Sequence, residues 1–191
     1  MPERVLGRIV RIQVQRDPLK AKGQGYDPVP ILAVEEAIIG PSGVIGRHHG
    51  GWVMDAHHAG HPNSRARGRR ALSIGFSGHY DLIAERFGSA PLGCAGENLI
   101  VATDRRITLG DLEGVVVVRT ADGEVPLGGA RVATPCREFT SFMLGRPDVA
   151  PREEIADDLD FLDNGMRGYI LDMNTLEGAH RVKVGDEVLV R

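Results

Sequence analysis

The chain reads as mainly β, a closed or nearly closed β-barrel with two or three helices on its outside. Three observations predict this. Short Val- and Ile-rich runs alternate with turn residues, glycine takes 25 of 191 positions, and aromatic residues make up only 5%, a balance that suits many strands and turns. Two Gly-Asp pairs, Gly110-Asp111 and Gly185-Asp186, each lead into a strand-like run, and their likeness suggests related turns of one small barrel. Helical spacing of apolar residues shows in only two segments.

In chain order, Arg4–Gln15 carries Val5, Leu6, Ile9, Val10, Ile12 and Val14, and its β-branched content with partial alternation predicts a strand. Residues 17–30 form a polar loop with Gly23, Gly25, Pro28 and Pro30. Residues 31–39 are a second apolar run, interrupted by Glu35-Glu36, which leaves its type open. Gly40-Pro41-Ser42-Gly43 is a turn by composition. Residues 44–70 have no apolar period and are expected to be one long loop. Residues 71–74 are a short strand candidate. Ser77 is a candidate N-cap for a helix carrying Tyr80, Ile83, Ala84 and Phe87, closed by Gly88. Turn-rich residues 91–96 lead into the strand candidate 97–101. Val115–Val118 and residues 187–190 are strands entered through the two Gly-Asp turns, and Ala121-Asp122-Gly123 is a hairpin turn. Residues 129–134 form a strand. Pro151 opens a helix with Ile155, Leu159 and Leu162 on one stripe, Asn164-Gly165 ends it, and residues 167–172 return as a strand.

Composition narrows the function. A chain of 191 residues reads as one domain. A net charge of −3 argues against a general nucleic-acid binder. No apolar run approaches a membrane span. Two cysteines make neither a disulfide framework nor a four-thiolate iron–sulfur site. The charged start Met1-Pro2-Glu3-Arg4 lacks a secretory pattern, so a reduced, cytoplasmic protein is expected.

The stretch that carries chemistry is Ala133-Thr134-Pro135-Cys136-Arg137-Glu138. Pro135 has no N–H and disfavours helix at Thr134, so a strand should end there and present Cys136 at its end. Arg137 beside the thiol would help hold a thiolate. That suits a metal ligand or a nucleophile; the competing reading is a small buried hydrophobe.

Residues 44–70 hold five of the seven histidines and end in Arg65, Arg67, Arg69 and Arg70. His57, His58 and His61, with Asp55, offer Zn²⁺ ligands or simply a polar lid. The arginine run offers an anion grip or a solvated face. Cys94 is either a redox partner of Cys136 or a packed small residue, and Glu97 either a general acid–base group or a turn residue.

Four pieces, in order, resemble the MOSC domain family, named after the C-terminal part of molybdenum cofactor sulfurase. They are Gly46-Arg47-His48-His49-Gly50, residues 70–80 ending Ser77-Gly78-His79-Tyr80, Gly96-Glu97-Asn98-Leu99, and Thr134-Pro135-Cys136. Gly168-Tyr169-Ile170 and Val184-Gly185-Asp186-Glu187-Val188 also fit, so the resemblance spans nearly the whole chain as a single domain with a His/Arg-rich insertion at about 48–70.

The resemblance implies a β-barrel that binds the molybdenum cofactor (molybdopterin), with Cys136 as metal ligand and catalytic residue. A thiolate suits a redox metal already held by dithiolene sulfurs, and the pterin phosphate needs cations or backbone N–H donors. Arg47, Ser77 and Asn98 match family positions near the cofactor; Arg70 and Arg137 join them on charge and proximity. The family pattern of a cation before the second strand is replaced by Tyr26-Asp27-Pro28, with Lys22 nearest. The implied activity is reduction of N-hydroxylated or related small substrates. Its electrons come from a separate donor protein, because no flavin or ferredoxin motif is present. The alternatives are a sulfur carrier that forms a Cys136 persulfide, served by a cysteine desulfurase, and a non-catalytic barrel that binds a small anion or a partner. No pyridoxal-phosphate domain accompanies it.

Overall fold

The structure, a computed structural model, describes residues 3–20, 24–64, 72–173 and 175–191. Its hub is the twelve-residue strand β1 (Arg4–Gln15). The first half of β1 pairs with the last strand, so that Arg4 faces Val190. Its middle and end pair on opposite sides with two other strands, Ile12 facing both Val34 and Leu99.

The strands after β1 are β2 (Ile31–Val34), β3 (Glu36–Gly40), β4 (Gly43–His48), β5 (Gly51–Met54), β6 (Leu72–Phe76) and β7 (Leu99–Val101). They continue with β8 (Val116–Thr120), β9 (Gly123–Pro126), β10 (Ala130–Val132), β11 (Tyr169–Leu171), β12 (His180–Lys183) and β13 (Glu187–Val190). The helices are α1 (Ser77–Phe87), α2 (Arg137–Met143) and α3 (Ala156–Leu162). The larger sheet runs β10-β11-β6-β7-β1-β13-β8-β9 with β2 also on β1; the smaller runs β12-β3-β4-β5. The parallel pair β6–β7 is bridged by α1.

Side-chain alternation divides the sheet into two faces. Ile12 and Val14 of β1, Leu72, Ile74 and Phe76 of β6, Leu99 and Val101 of β7, and Val188 and Val190 of β13 close the inner core. Ile100 points the other way. With Tyr80, Ile83, Phe139, Leu162 and Met166 it forms a second core between the sheet and its helices. The outer face is thus partly covered by helix and partly open.

The barrel expected from the sequence is open. Leu127 donates its N–H to the Val116 carbonyl at 2.7 Å, and two residues later the Gly129 carbonyl accepts from Asp172 at 2.9 Å. The chain therefore changes partner at this corner, leaving β8 for β11. As successive stretches of one chain, β9 and β10 do not pair side by side, and the curled sheet stays open there.

Other expectations are corrected locally. Residues 44–70 are not one loop: β4 and β5 form a hairpin in the small sheet, with Ile45 opposite Met54. Its two-residue turn is His49-Gly50, with φ of 48° and 79°, the left-handed pair that a tight hairpin needs. The ambiguous run at 31–39 is two strands parted at Glu35. Ser77 is the first helical residue rather than the N-cap. Strand β6 runs directly into α1 through Phe76, and the Ser77 hydroxyl is taken by the loop at Thr103, donating to its carbonyl and accepting its N–H, both at 2.9 Å. Helix α2 was not foreseen. Pro151 caps a short 3₁₀ turn that precedes α3 rather than opening that helix itself.

The two Gly-Asp turns do match. Asp111 Oδ2 accepts the Thr108 N–H at 2.8 Å, and Asp186 Oδ2 accepts the Lys183 N–H at 2.7 Å. The strands they lead to, β8 and β13, lie side by side. Arg119 and Arg191 then bind Glu3 and Glu124 in one surface network at 2.6–3.2 Å, linking β8, β9 and both ends of the chain.

No helix among the described residues is long and apolar enough to cross a membrane.

Candidate functional site

A cleft of about 130 Å³ opens on the outer face of the large sheet. Its lining includes Ser73 from β6, Ile170 from β11 and Arg131 from β10, with His57, Glu97, Thr134 and Arg167 around them. Alternation places them there: Leu72 and Ile74 fill the inner core, so Ser73 faces out.

The lip that carries Glu97 is held by a set of hydrogen bonds. Gln13 and Gln15, the outward residues of β1, donate to the carbonyls of Gly93 and Gly96 at 2.7 Å each. Tyr26 donates to the Cys94 carbonyl at 2.6 Å. Tyr80 accepts the Ala95 N–H at 3.3 Å and donates its own proton to Glu97 Oε2 at 2.6 Å. Burial pushes the Glu97 carboxyl up, outweighing the downward pull of Tyr80, its own backbone N–H and Arg167. A raised, buried carboxyl on a cleft wall is a group suited to carrying a proton.

Cys136 stands two residues past the cleft-lining Thr134, just before α2, and is not itself among the residues that line the cleft. As expected, the strand ends before Thr134, leaving the thiol half-buried rather than sealed in the core. Its sulfur lies 4.0 Å from NH1 of Arg167. The same nitrogen donates to the Thr134 carbonyl at 3.2 Å, and the guanidinium lies over the Phe139 ring at 5.0 Å. Arg167 Nε is buried with no partner among the described residues. On the other side, burial raises the Glu138 carboxyl, but its own backbone N–H and the Cys136 side chain outweigh that, and the net shift is downward.

The remaining candidates are dispersed. Arg137 is exposed beside Cys136. Asn98 is buried and its polar atoms are spent inside the protein. Its Oδ1 accepts from Ser73 N–H and Oγ at 3.1 and 3.2 Å, and its Nδ2 donates to the Gln13 carbonyl and to Asp55. Arg47 is an exposed residue of β4 paired with Glu36 at 3.0 Å, and neither it nor Ser77 lines the cleft. Arg70 and Lys22 lie outside the described residues. Cys94 is packed against Met143, sulfur to sulfur 4.0 Å, and burial followed by the Glu97 charge pushes its thiol up to about 12. No group of three or more His, Cys, Asp or Glu side chains fit to hold a metal occurs among the described residues.

Arg167 and Arg131 escaped the sequence reading. Arg131 alternates with core-facing neighbours in β10, a signal that was present; Arg167 sits on a turn where no period marks it.

No protein-family profile and no curated protein matches this chain. Among solved structures, the YuaD protein from Bacillus subtilis superposes with a TM-score of 0.59 at 15% identity, over 99% of this chain and 97% of that one. A hypothetical protein superposes at 0.51 and 14% identity, over 96% and 68%. YiiM from Geobacillus stearothermophilus gives 0.48 at 19% identity, over 100% and 76%. The chain shares the fold of YuaD along nearly its whole length.

Proposed function

We propose that the chain is a MOSC-type domain that binds the molybdenum cofactor at the outer-face cleft and reduces N-hydroxylated or related small substrates. The observation that carries this reading is the Cys136 sulfur 4.0 Å from the guanidinium of Arg167, which itself lines the cleft.

The residues present fit the two ends of that group. Its metal end takes a thiolate ligand, which Cys136 supplies. Its phosphate end takes cations, which Arg131 and Arg167 offer in the cleft and Arg137 beside it. The unspent Nε–H of Arg167 is a donor with no other use among the described residues. The volume of about 130 Å³ suits the reacting end of such a molecule rather than its whole length. When bound, the cofactor supplies two-electron redox chemistry. The protein's part is to hold it by Cys136 and the arginines, to keep Glu97 as a buried proton reservoir, and to leave the mouth open to a small substrate. Electrons come from a separate protein.

A second reading is sulfur carriage through a Cys136 persulfide, with a cysteine desulfurase as donor. The observation in its favour is the half-buried Cys136 thiol beside the Arg167 guanidinium, a cation that would help hold the thiolate that accepts sulfur.

Molybdenum analysis of wild type and Cys136→Ala, purified from a host that makes the cofactor, decides between them. Stoichiometric molybdenum lost in the variant supports the oxidoreductase. Metal-free wild type that gains a labile sulfur on Cys136 after treatment with a desulfurase replaces it with the carrier.

A further inference from the structure

We propose that His57, held by the buried carboxylate of Asp55, is the proton-transferring residue of the cleft, acting on the N–OH group of the substrate proposed above. This rests on the reading that the cleft is the active site.

Asp55 is 0% exposed. Its Oδ2 accepts the Gln15 N–H at 2.8 Å and Asn98 Nδ2 at 3.0 Å. Its Oδ1 accepts the His57 N–H at 2.8 Å and faces His57 Nδ1 at 3.0 Å. An ionised carboxylate only accepts, so the proton on the ring belongs on Nδ1, and neutral His57 keeps a bare lone pair on Nε2. No described residue bonds to Nε2. The turn is strapped to the sheet as well, because Ala56 donates to the Gln15 carbonyl at 2.7 Å and His58 to the Asp55 carbonyl at 2.9 Å. The ring is therefore fixed in position and tautomer while its side chain remains 36% exposed and lines the cleft. A purely structural histidine would have both nitrogens occupied, as His79 does in the core.

The transfer is simple. Nε2 accepts the proton of the bound N–OH, the imidazolium is held beside the Asp55 carboxylate, and the same ring gives the proton back to the nitrogen when the N–O bond breaks. The hydroxamate oxygen is an anion once its proton is on the ring, and Arg131 and Arg167 line the same cleft. Asp55 is the positioning residue; Asn98 and Gln15 hold it in place.

The test is ¹⁵N NMR of the histidine rings in metal-free protein, titrated with acetohydroxamic acid. The expected result is a His57 ring protonated at Nδ1 alone, with an Nε2 resonance that moves on titration. In His57→Gln, acetohydroxamic acid should bind about tenfold more weakly, the loss of one hydrogen bond. A ring protonated at Nε2 in the free protein overturns the proposal. So does failure of the acid to bind, or binding that leaves Nε2 unmoved. In cofactor-loaded protein, His57→Gln should lower kcat about a hundredfold with molybdenum content unchanged; an unchanged kcat overturns the proposal. Absence of molybdenum from wild type would end the cofactor reading and leave the NMR result to stand alone.

Discussion

Arg167 reaches to 4.0 Å of the sulfur of Cys136, thirty-one residues away in sequence, while its guanidinium rests on the ring of Phe139. The sulfur thus has a fixed cation on one side and, through Glu138, a carboxylate on the other. Iodoacetamide should modify Cys136 in the native protein and leave Cys94 untouched until unfolding, since Cys94 is buried with its thiol pushed up to about 12. Arg167→Met should slow modification of Cys136 several-fold and Glu138→Gln should speed it, both read by mass spectrometry. Equal rates at the two cysteines would refute this account.

His79 should govern stability in mild acid. Its Nε2 accepts the Ile107 N–H at 2.9 Å, its Nδ1 donates to the Met166 carbonyl at 3.1 Å, and burial lowers its pKa to about 4. The unfolded chain binds a proton at this residue near pH 6.5, which the folded chain refuses until about pH 4. Stability is therefore full above that window, falls as pH drops through it, and has lost roughly 3 kcal/mol below it. Urea denaturation of wild type and His79→Gln across these pH values should show a slope that the variant lacks.

Two glycines bounding α1 should fail for different reasons. At Gly78 an added Cβ would lie 2.5 Å from the Arg105 carbonyl oxygen, so Gly78→Ala should cost about 2 kcal/mol despite the gain in helix propensity. Gly88 has φ of +82° and open space around it, so Gly88→Ala should cost only about 1 kcal/mol, as backbone strain. Urea midpoints would rank them; the reverse order would refute the close packing of the loop at Arg105 on the helix.

The network that ties the chain ends should respond to acid and salt. Hydrogen bonds from Arg119 and Arg191 hold the Glu3 carboxyl below its usual range, and those from Arg191 and Arg119 do the same for Glu124. Their contribution is present above about pH 4.5 and lost as pH falls through the lower folded values. These groups are well solvated, so Glu3→Gln should lower Tm only slightly at pH 7, and not at all in 1 M salt, where about 3 Å of screening length remains. A salt-independent drop would mean that Glu3 acts through packing.

What could be read in the sequence followed burial. β1, β8 and β13 carry β-branched runs because they face the inner core, and α1 shows its apolar spacing because it packs on the sheet. The β4–β5 hairpin escaped because glycines fill two of the three buried positions of β4 and β5 has none, with Trp52 exposed, so no apolar run marks it. His49-Gly50 was the available signal. Helix α2 has seven residues, too few to show a period. Of the residues that line the cleft, the sequence marked Glu97 and Thr134, and His57 only as a metal-ligand candidate. Asp55 and Asn98 lie 43 positions apart, Cys136 and Arg167 lie 31 apart, and only strand pairing and the turn before β11 bring them together.

The pairing of β1 with β13 sets an order of assembly. Arg4 finds its partner in Val190, so β1 leaves the ribosome long before the strand it pairs with. Until then the leading half of β1 and the inner edge of β8, both of which pair with β13, present bare backbone. Folding during synthesis can complete the small sheet's hairpin early, but closure of the inner core must follow release of β13. Stalled or shortened chains that stop before residue 187 would therefore be the form most prone to aggregate and most dependent on chaperones.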